Sequence, residues 1–198
     1  MGLRGRSYSR SMESFQIESS VLVNKEARWY AVHVYPQNEK KVVAELERKG
    51  IKTFLPLRGE RHRWSDRNQL VQVPLFPCYA FVHIVPTPHL RAAVQQTPRV
   101  IRLLSPNGEP APIPDSEIES IRTLLAGNVP VSPYAFLQAG QKVRIRGGCL
   151  DGLEGICVDH GGERKLVLSV NLIQQSVELS IEGYKVEPAC AGAAGATG

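Results

Sequence analysis

The spacing of apolar and polar residues changes several times along this chain, and each change predicts an element. RWYAVHVY (28–35) is rich in β-formers and stops at Pro36, which predicts a strand. In EKKVVAELERK, which follows, Val42, Val43 and Leu46 form one apolar stripe; Asn38 precedes it as a cap and Gly50 ends it. IKTFLPL (51–57) predicts a second strand, and RGERHRW and QLVQV, joined by SDRN, predict a protruding polar hairpin. CYAFVHI (78–84) is the most apolar strand and is expected at the centre of a sheet. Thr87-Pro88 opens a short helix over PHLRAAVQQ, with proline at its first position. RVIRLL (99–104) is another strand. PDSEIESIRTLLAG then predicts a helix with Ser116 and Glu119 as a capping box, Ile118, Ile121 and Leu125 as its apolar face, and Gly127 as its stop.

The order β-α-β, hairpin, β-α-β, α is that of a ferredoxin-like split βαβ unit with a hairpin inserted, an α+β class of domain. It fills about 100 residues, a normal domain size. NVPVSPYAFLQ (128–138) has two prolines and no period, so it predicts a linker. Beyond it, QKVRIRGG, LEGICVDH, KLVLSVNLI and QSVELS are short β-rich runs between glycine clusters, the pattern of a small SH3-like β-barrel. The expected organisation is a polar tail over 1–26, a first domain over 27–127, the linker, a barrel over 139–188 and a second tail over 189–198.

Composition narrows the class. Of 198 residues 42% are hydrophobic and 22% charged, which suits a globular chain with a real core. No run approaches the ~20 apolar residues that span a bilayer. The start, MGLRGRSYSRSMES, is basic but has no apolar core, so it is not a secretory signal, and Arg6 stands where a myristoylation motif wants Ser or Thr. A cytoplasmic monomer with no membrane contact is expected. Cys78, Cys149, Cys157 and Cys190 show no zinc-ligand spacing, so free thiols and no metal or other cofactor are expected. Residues 1–70 hold 14 Lys and Arg against 8 Asp and Glu, whereas residues 71–198 hold 10 against 11. A basic first part beside a neutral remainder points to a polyanion on one domain only, or to a plain solvated face.

VPLFPCYAFV (73–82) holds two prolines, three aromatics and no charge. Alternation places Tyr79 and Phe81 on one face of the strand and Ala80 and Val82 on the other. If helices cover one face, two aromatics on the other are either core or a docking patch larger than a monomer normally exposes.

At these residues a resemblance becomes plain. WYAV (29–32), PLFPCYAFV (74–82) and PRVIRLL with PAPIPDSEI (98–118) resemble the N-terminal domain of NusG-type transcription factors. QKVRIRGGCLDGLEGICV resembles the KOW motif that follows it in that family, with turn glycines at Gly147, Gly148, Gly152 and Gly155. The form PLFPxYxFV and the NLI of SVNLIQQ are closer to the specialised RfaH and UpxY antiterminators than to housekeeping members. The resemblance implies a processivity and antitermination factor whose apolar pocket seats the clamp helices of the RNA polymerase β′ subunit. Carried over by motif, that pocket includes Phe76, Tyr79 and Phe81, with His33 at a position where RfaH has an aromatic. Cys78 replaces a glycine common in the family; RfaH also departs there, which implies that the backbone need not require glycine. Cys149-Leu150 replaces the common Pro-Phe of the KOW motif. Leu172 and Ile173 occupy the KOW partner-binding loop, where a ribosomal protein is a family partner; the loop lacks the phenylalanine of housekeeping members, which counts against the termination factor Rho. Because RfaH has a second domain that can be helical, the resemblance leaves that fold open. Glycines at 140, 147, 148, 152, 155, 161, 162 and 183 disfavour helix, and only KLVLSVNLIQQSVEL (165–179) is long enough to attempt one. A stable barrel, with the first domain's pocket unmasked, is therefore expected.

The basic features suit nucleic acid. RGERHRWSDR sets Arg58, Arg61, Arg63 and Arg67 around Trp64, where arginines can grip a backbone and the indole can stack on an unpaired base. His89, Arg91 and Gln95 occupy polar positions of the short helix, with Arg99 just beyond. In RfaH-like proteins the corresponding region meets the non-template DNA strand. Catalysis is not expected: Cys78 with His33 or His83 lacks an orienting acid, and GGCLDGLEG lacks the lysine of a phosphate-binding loop. The competing reading is an RNA-binding or ribosome-associated KOW protein, but CYAFVHI lacks the basic start and glycine of an RNA-binding central strand.

Overall fold

A computed structural model describes residues 26–64, 67–137, 140–160 and 162–189. The tails expected over 1–26 and 189–198 lie almost wholly outside the described residues, as do Cys190 and two residues of the SDRN turn.

The first part runs β1 (Arg28–Val34), α1 (Glu39–Arg48), β2 (Lys52–Phe54), the hairpin β3 (Leu57–Trp64) and β4 (Arg67–Pro74), β5 (Tyr79–Ile84), α2 (Pro88–Gln95), β6 (Val100–Leu103) and α3 (Asp115–Ala126). Its sheet has the order β2-β5-β1-β6, all antiparallel, which is the ferredoxin-like order with β3 and β4 as a separate two-stranded insertion. The two crossover helices lie on one face. There Val42, Leu46 and Val94 meet Tyr30, Val32, Val34, Val82 and Ile84. Burial of that stripe, rather than helix propensity, holds two such short helices in place. The strand expected over 51–57 is shorter than predicted, because Pro56 ends it and Leu57 already belongs to the hairpin.

Two caps differ from expectation. The Asn38 side chain donates to the Pro36 carbonyl at 2.8 Å and makes no cap bond to α1. No capping box forms at α3, where Pro114 is the cap residue and Glu119 pairs with Arg122 instead. Thr87 behaves as predicted, its hydroxyl accepting from the Leu90 amide at 3.3 Å. The buried face of α3 is Ile118, Ile121 and Leu124, with Leu125 only partly buried.

The second part is all β, as the glycine spacing requires. It comprises β7 (Ser132–Tyr134), β8 (Gln141–Arg146), β9 (Glu154–His160), β10 (Glu163–Val170), β11 (Gln175–Ser180) and β12 (Lys185–Pro188), in the sheet order β12-β8-β9-β10-β11-β7. The stretch 165–179 is strand, one turn of 3-10 helix at Asn171–Ile173, and strand. The segment read as linker contains β7, whose residues pair with β11 from Ser176 to Glu178. Gly147, Gly148 and Gly152 have φ of 83°, 73° and 82°, as a tight turn demands. Gly155 serves a different need. A Cβ there would lie 2.7 Å from the Val167 carbonyl oxygen and 2.8 Å from Leu166 Cγ, with β10 pressed against it. Gly155→Ala is expected to destabilise this domain by about 1–3 kcal/mol through overpacking, read as a lowered thermal midpoint. No helix of the described residues is long and apolar enough to cross a membrane.

The candidate partner-binding face and the domain contact

The sheet face away from α1 and α2 is built by strand register. Tyr79 pairs with His33, Phe81 with Ala31 and with Phe54, and His83 with Trp29, so these side chains share one side. Two layers cover it. At one end α3 approaches through an isolated bridge between Trp29 and Ile113, and the Arg122 guanidinium sits 5.1 Å from the ring centres of both Trp29 and Phe54. At the other end the second domain covers it.

Phe76 and Phe81 are fully buried, their rings 6.1 Å apart and nearly perpendicular. Tyr79 is half-buried and stacks on His33 at 5.1 Å. Of the four residues assigned to the docking face, two are therefore core and two form a rim. Leu75, Phe76, Phe81, Ile118, Ile121 and Leu124 join Leu168, Val170 and Ile173 of the second domain in one continuous apolar cluster, with Tyr79 and Leu172 packed against it.

That continuity overturns the expectation that the pocket is unmasked. The 171–175 turn of the β-domain closes over Pro77–Tyr79. The Gln175 amide reaches the Pro77 carbonyl at 3.5 Å, and Leu172, Ile173 and Gln174 form one wall of a groove whose other wall includes Tyr79. Glu117 on α3 accepts two bonds from Asn171, 2.7 Å from its side chain and 3.3 Å from its backbone amide. At the far end of α3, Gly127 leaves no room for a Cβ, which would lie 2.8 Å from Leu150 Cδ2. Leu172 and Ile173, the candidate partner loop of the β-domain, are engaged by the same contact.

Cys78, at the start of β5, has φ of 67°, so its backbone is one that favours glycine after all. Two bonds hold it there. Its amide donates to Glu39 Oε1 at 2.9 Å, and its carbonyl accepts from the Val34 amide at 2.9 Å. Glu39, in the first turn of α1 and almost fully buried, thus fixes where the aromatic strand begins. Burial, and secondarily the charge of Glu39, push the Cys78 thiol up. Cys78, Cys149 and Cys157 are free thiols, and the described residues hold no group of three or more His, Cys, Asp or Glu placed for a metal.

The nucleic-acid candidates fall on separate elements. Arg61 is exposed on β3; Arg63 and Trp64 pair through the backbone with Asn68 and Arg67 across the hairpin, while their side chains lie outside the described ones. Arg91 on α2 is tied to Glu109 at 2.9 Å. Arg99 is exposed, at a left-handed turn before β6. Sequence reasoning missed Arg102, Glu117, Asn171 and Gln175. Arg102 had no clean signal either: a register shift between His33 and Val34 breaks the alternation along RVIRLL, and only its pairing with His33 puts it on the aromatic face.

The chain is similar to known proteins over most of its length. Residues 27–122 match the NusG family, described as transcription termination factor nusG. NusG of Helicobacter pylori (strain ATCC 700392 / 26695), a transcription termination/antitermination protein, is 24% identical over 179 residues, covering 80% of this chain and 97% of the relative. The Pseudomonas aeruginosa protein of the same name is 26% identical, with 81% and 97% covered. A solved structure concerned with domain interaction in Thermotoga maritima NusG aligns over 81% of this chain and 97% of that one, at 25% identity and a TM-score of 0.49. Residues 27–122 therefore carry a NusG-family domain, and most of the chain is similar to NusG transcription termination/antitermination proteins.

Proposed function

We propose that this chain binds RNA polymerase through the Phe76–Tyr79–Phe81 face, with His33 on its rim, and in doing so suppresses pausing and termination. The observation that carries the reading is what occupies that face. An aromatic surface accepts a single helical turn, Asn171–Ile173, bearing adjacent aliphatic side chains. A surface that takes one such turn is suited to take the tip of a helical hairpin, the helix-in-groove mode of recognition. The clamp helices of the polymerase β′ subunit are the occupant proposed. The β-domain then acts as a cover, and binding requires it to leave.

Released, the β-domain would present Leu172 and Ile173 to a further partner, for which a ribosomal protein fits the family and Rho does not fit this loop. The hairpin arginines, Arg61, Arg63 and Arg67, with Trp64, are proposed to follow the non-template DNA strand, and the chain is proposed as a specialised antiterminator of the RfaH or UpxY kind.

Tyr79→Ala tests the dock. Tyr79 is half-buried, so its loss spares the core while removing an aromatic anchor. Polymerase binding is expected to weaken by roughly 1–3 kcal/mol, measured by titration of the full chain. Wild-type affinity in a folded Tyr79→Ala variant would remove the dock from this face.

A further inference from the structure

The docking face carries a polar row that the closed form leaves without a charged protein partner. Register pairs Tyr79 with His33 across β5 and β1, and His33 with Arg102 across β1 and β6, so the three side chains stand in line on one face. Tyr79 and His33 are stacked. His33 Nδ1 is buried and has no hydrogen-bond partner, and the exposed Arg102 side chain makes no ion pair or side-chain hydrogen bond among the described residues. Arg102 and Tyr79 border a groove of about 510 Å³ whose opposite wall is the turn Leu172, Ile173 and Gln174. That turn fills the apolar half of the face. Of the turn residues that line the groove with Arg102, Gln174 alone is polar, and it is a neutral amide.

A guanidinium and an orphaned imidazole nitrogen beside a filled apolar site define what is missing. From this, and resting on the reading of the face as a polymerase dock, we infer that the partner's helical turn carries a carboxylate next to its aliphatic side chains, and that Arg102, with His33 beside it, receives that carboxylate. The covering domain is an incomplete copy of the partner: it matches the aliphatic part and lacks the charge. Arg102 is then a specificity-determining residue, because the ion pair is formed with the partner and not with the cover. A carboxylate accepts from the guanidinium and from an imidazole N–H in one plane, which an amide cannot do with charge.

Two substitutions in the full-length protein test this against core RNA polymerase. Arg102→Gln is expected to weaken polymerase binding about fivefold and to flatten its salt dependence, with Arg102→Lys restoring part of both. It should leave the domain contact unchanged, followed by NMR at Asn171 and Gly127. Gln174→Glu supplies the missing charge from the cover. It is expected to tighten closure and lower apparent polymerase affinity by a similar factor, and adding Arg102→Gln should abolish the tightening. Equal affinity and salt slope for wild type and Arg102→Gln would overturn the inference while leaving the dock intact. An Arg102→Gln variant that spares polymerase but loses binding to an unpaired DNA oligomer would overturn it too, since the row would then serve phosphate. No polymerase binding by wild type, even with the cover displaced, would remove the underlying reading and the inference with it.

Discussion

Phe81→Ala is expected to destabilise the first domain by about 3–5 kcal/mol, the range for truncating a fully buried phenylalanine. Phe81 lies on a central strand, between the ring of Phe76 at 6.1 Å and that of Phe54 at 6.1 Å, with no exposed surface. Its removal leaves a void bounded by rings that the sheet holds apart, so the site cannot collapse to fill it. Urea unfolding of the full chain should show a lower midpoint. An unchanged midpoint would mean that Phe81 belongs to the docking surface and not to the core. The distinction matters for any binding assay, because lost polymerase binding in this variant would report unfolding, whereas the same loss in Tyr79→Ala would report the contact.

Ile173→Asp is expected to open the molecule. Ile173 is buried in the apolar cluster shared by the two domains and lines the groove against Tyr79. A carboxylate cannot be carried into that cluster without neutralisation or a partner. The turn can instead leave with its charge in water, so the cost falls on the domain contact. If closure holds most molecules, apparent affinity for polymerase is reduced by the open fraction, and releasing it should tighten binding by roughly tenfold or more. NMR signals from Glu117 and Gly127 should shift while the β10–β11 ladder stays protected. Polymerase affinity unchanged in a variant that has visibly opened would mean that the cover does not compete for the dock.

The elements that sequence made legible are those with a strong local period. β1, α1, β5 and α2 follow from β-rich runs, an i, i+4 stripe and a Thr-Pro start, and each depends on residues within one turn or one strand. The caps failed because competitors were equally local: Asn38 found the Pro36 carbonyl, and Glu119 found Arg122. β7 was hidden by Pro133 and by its dependence on β11, more than 40 residues away. The closure was hidden for a deeper reason. An aromatic strand face reads the same whether it will be covered by a partner or by another part of its own chain, since both require uncharged, closely packed side chains. Phe76, Phe81 and Tyr79 were found by their chemistry, but burial of the first two was decided by α3 and the turn at 171–175.

The pairing of β7 with β11 sets how far the cover can travel. With β7 held on its domain, only residues 127–131 separate it from the end of α3. Five residues span at most ~18 Å when extended. A tether that short keeps the released domain at an effective concentration of the order of millimolar beside the face it left. Any partner free in solution therefore competes with a neighbour that never diffuses away. On the proposed reading, an encounter that ends would let the cover return before a second partner arrives, resetting the molecule between engagements.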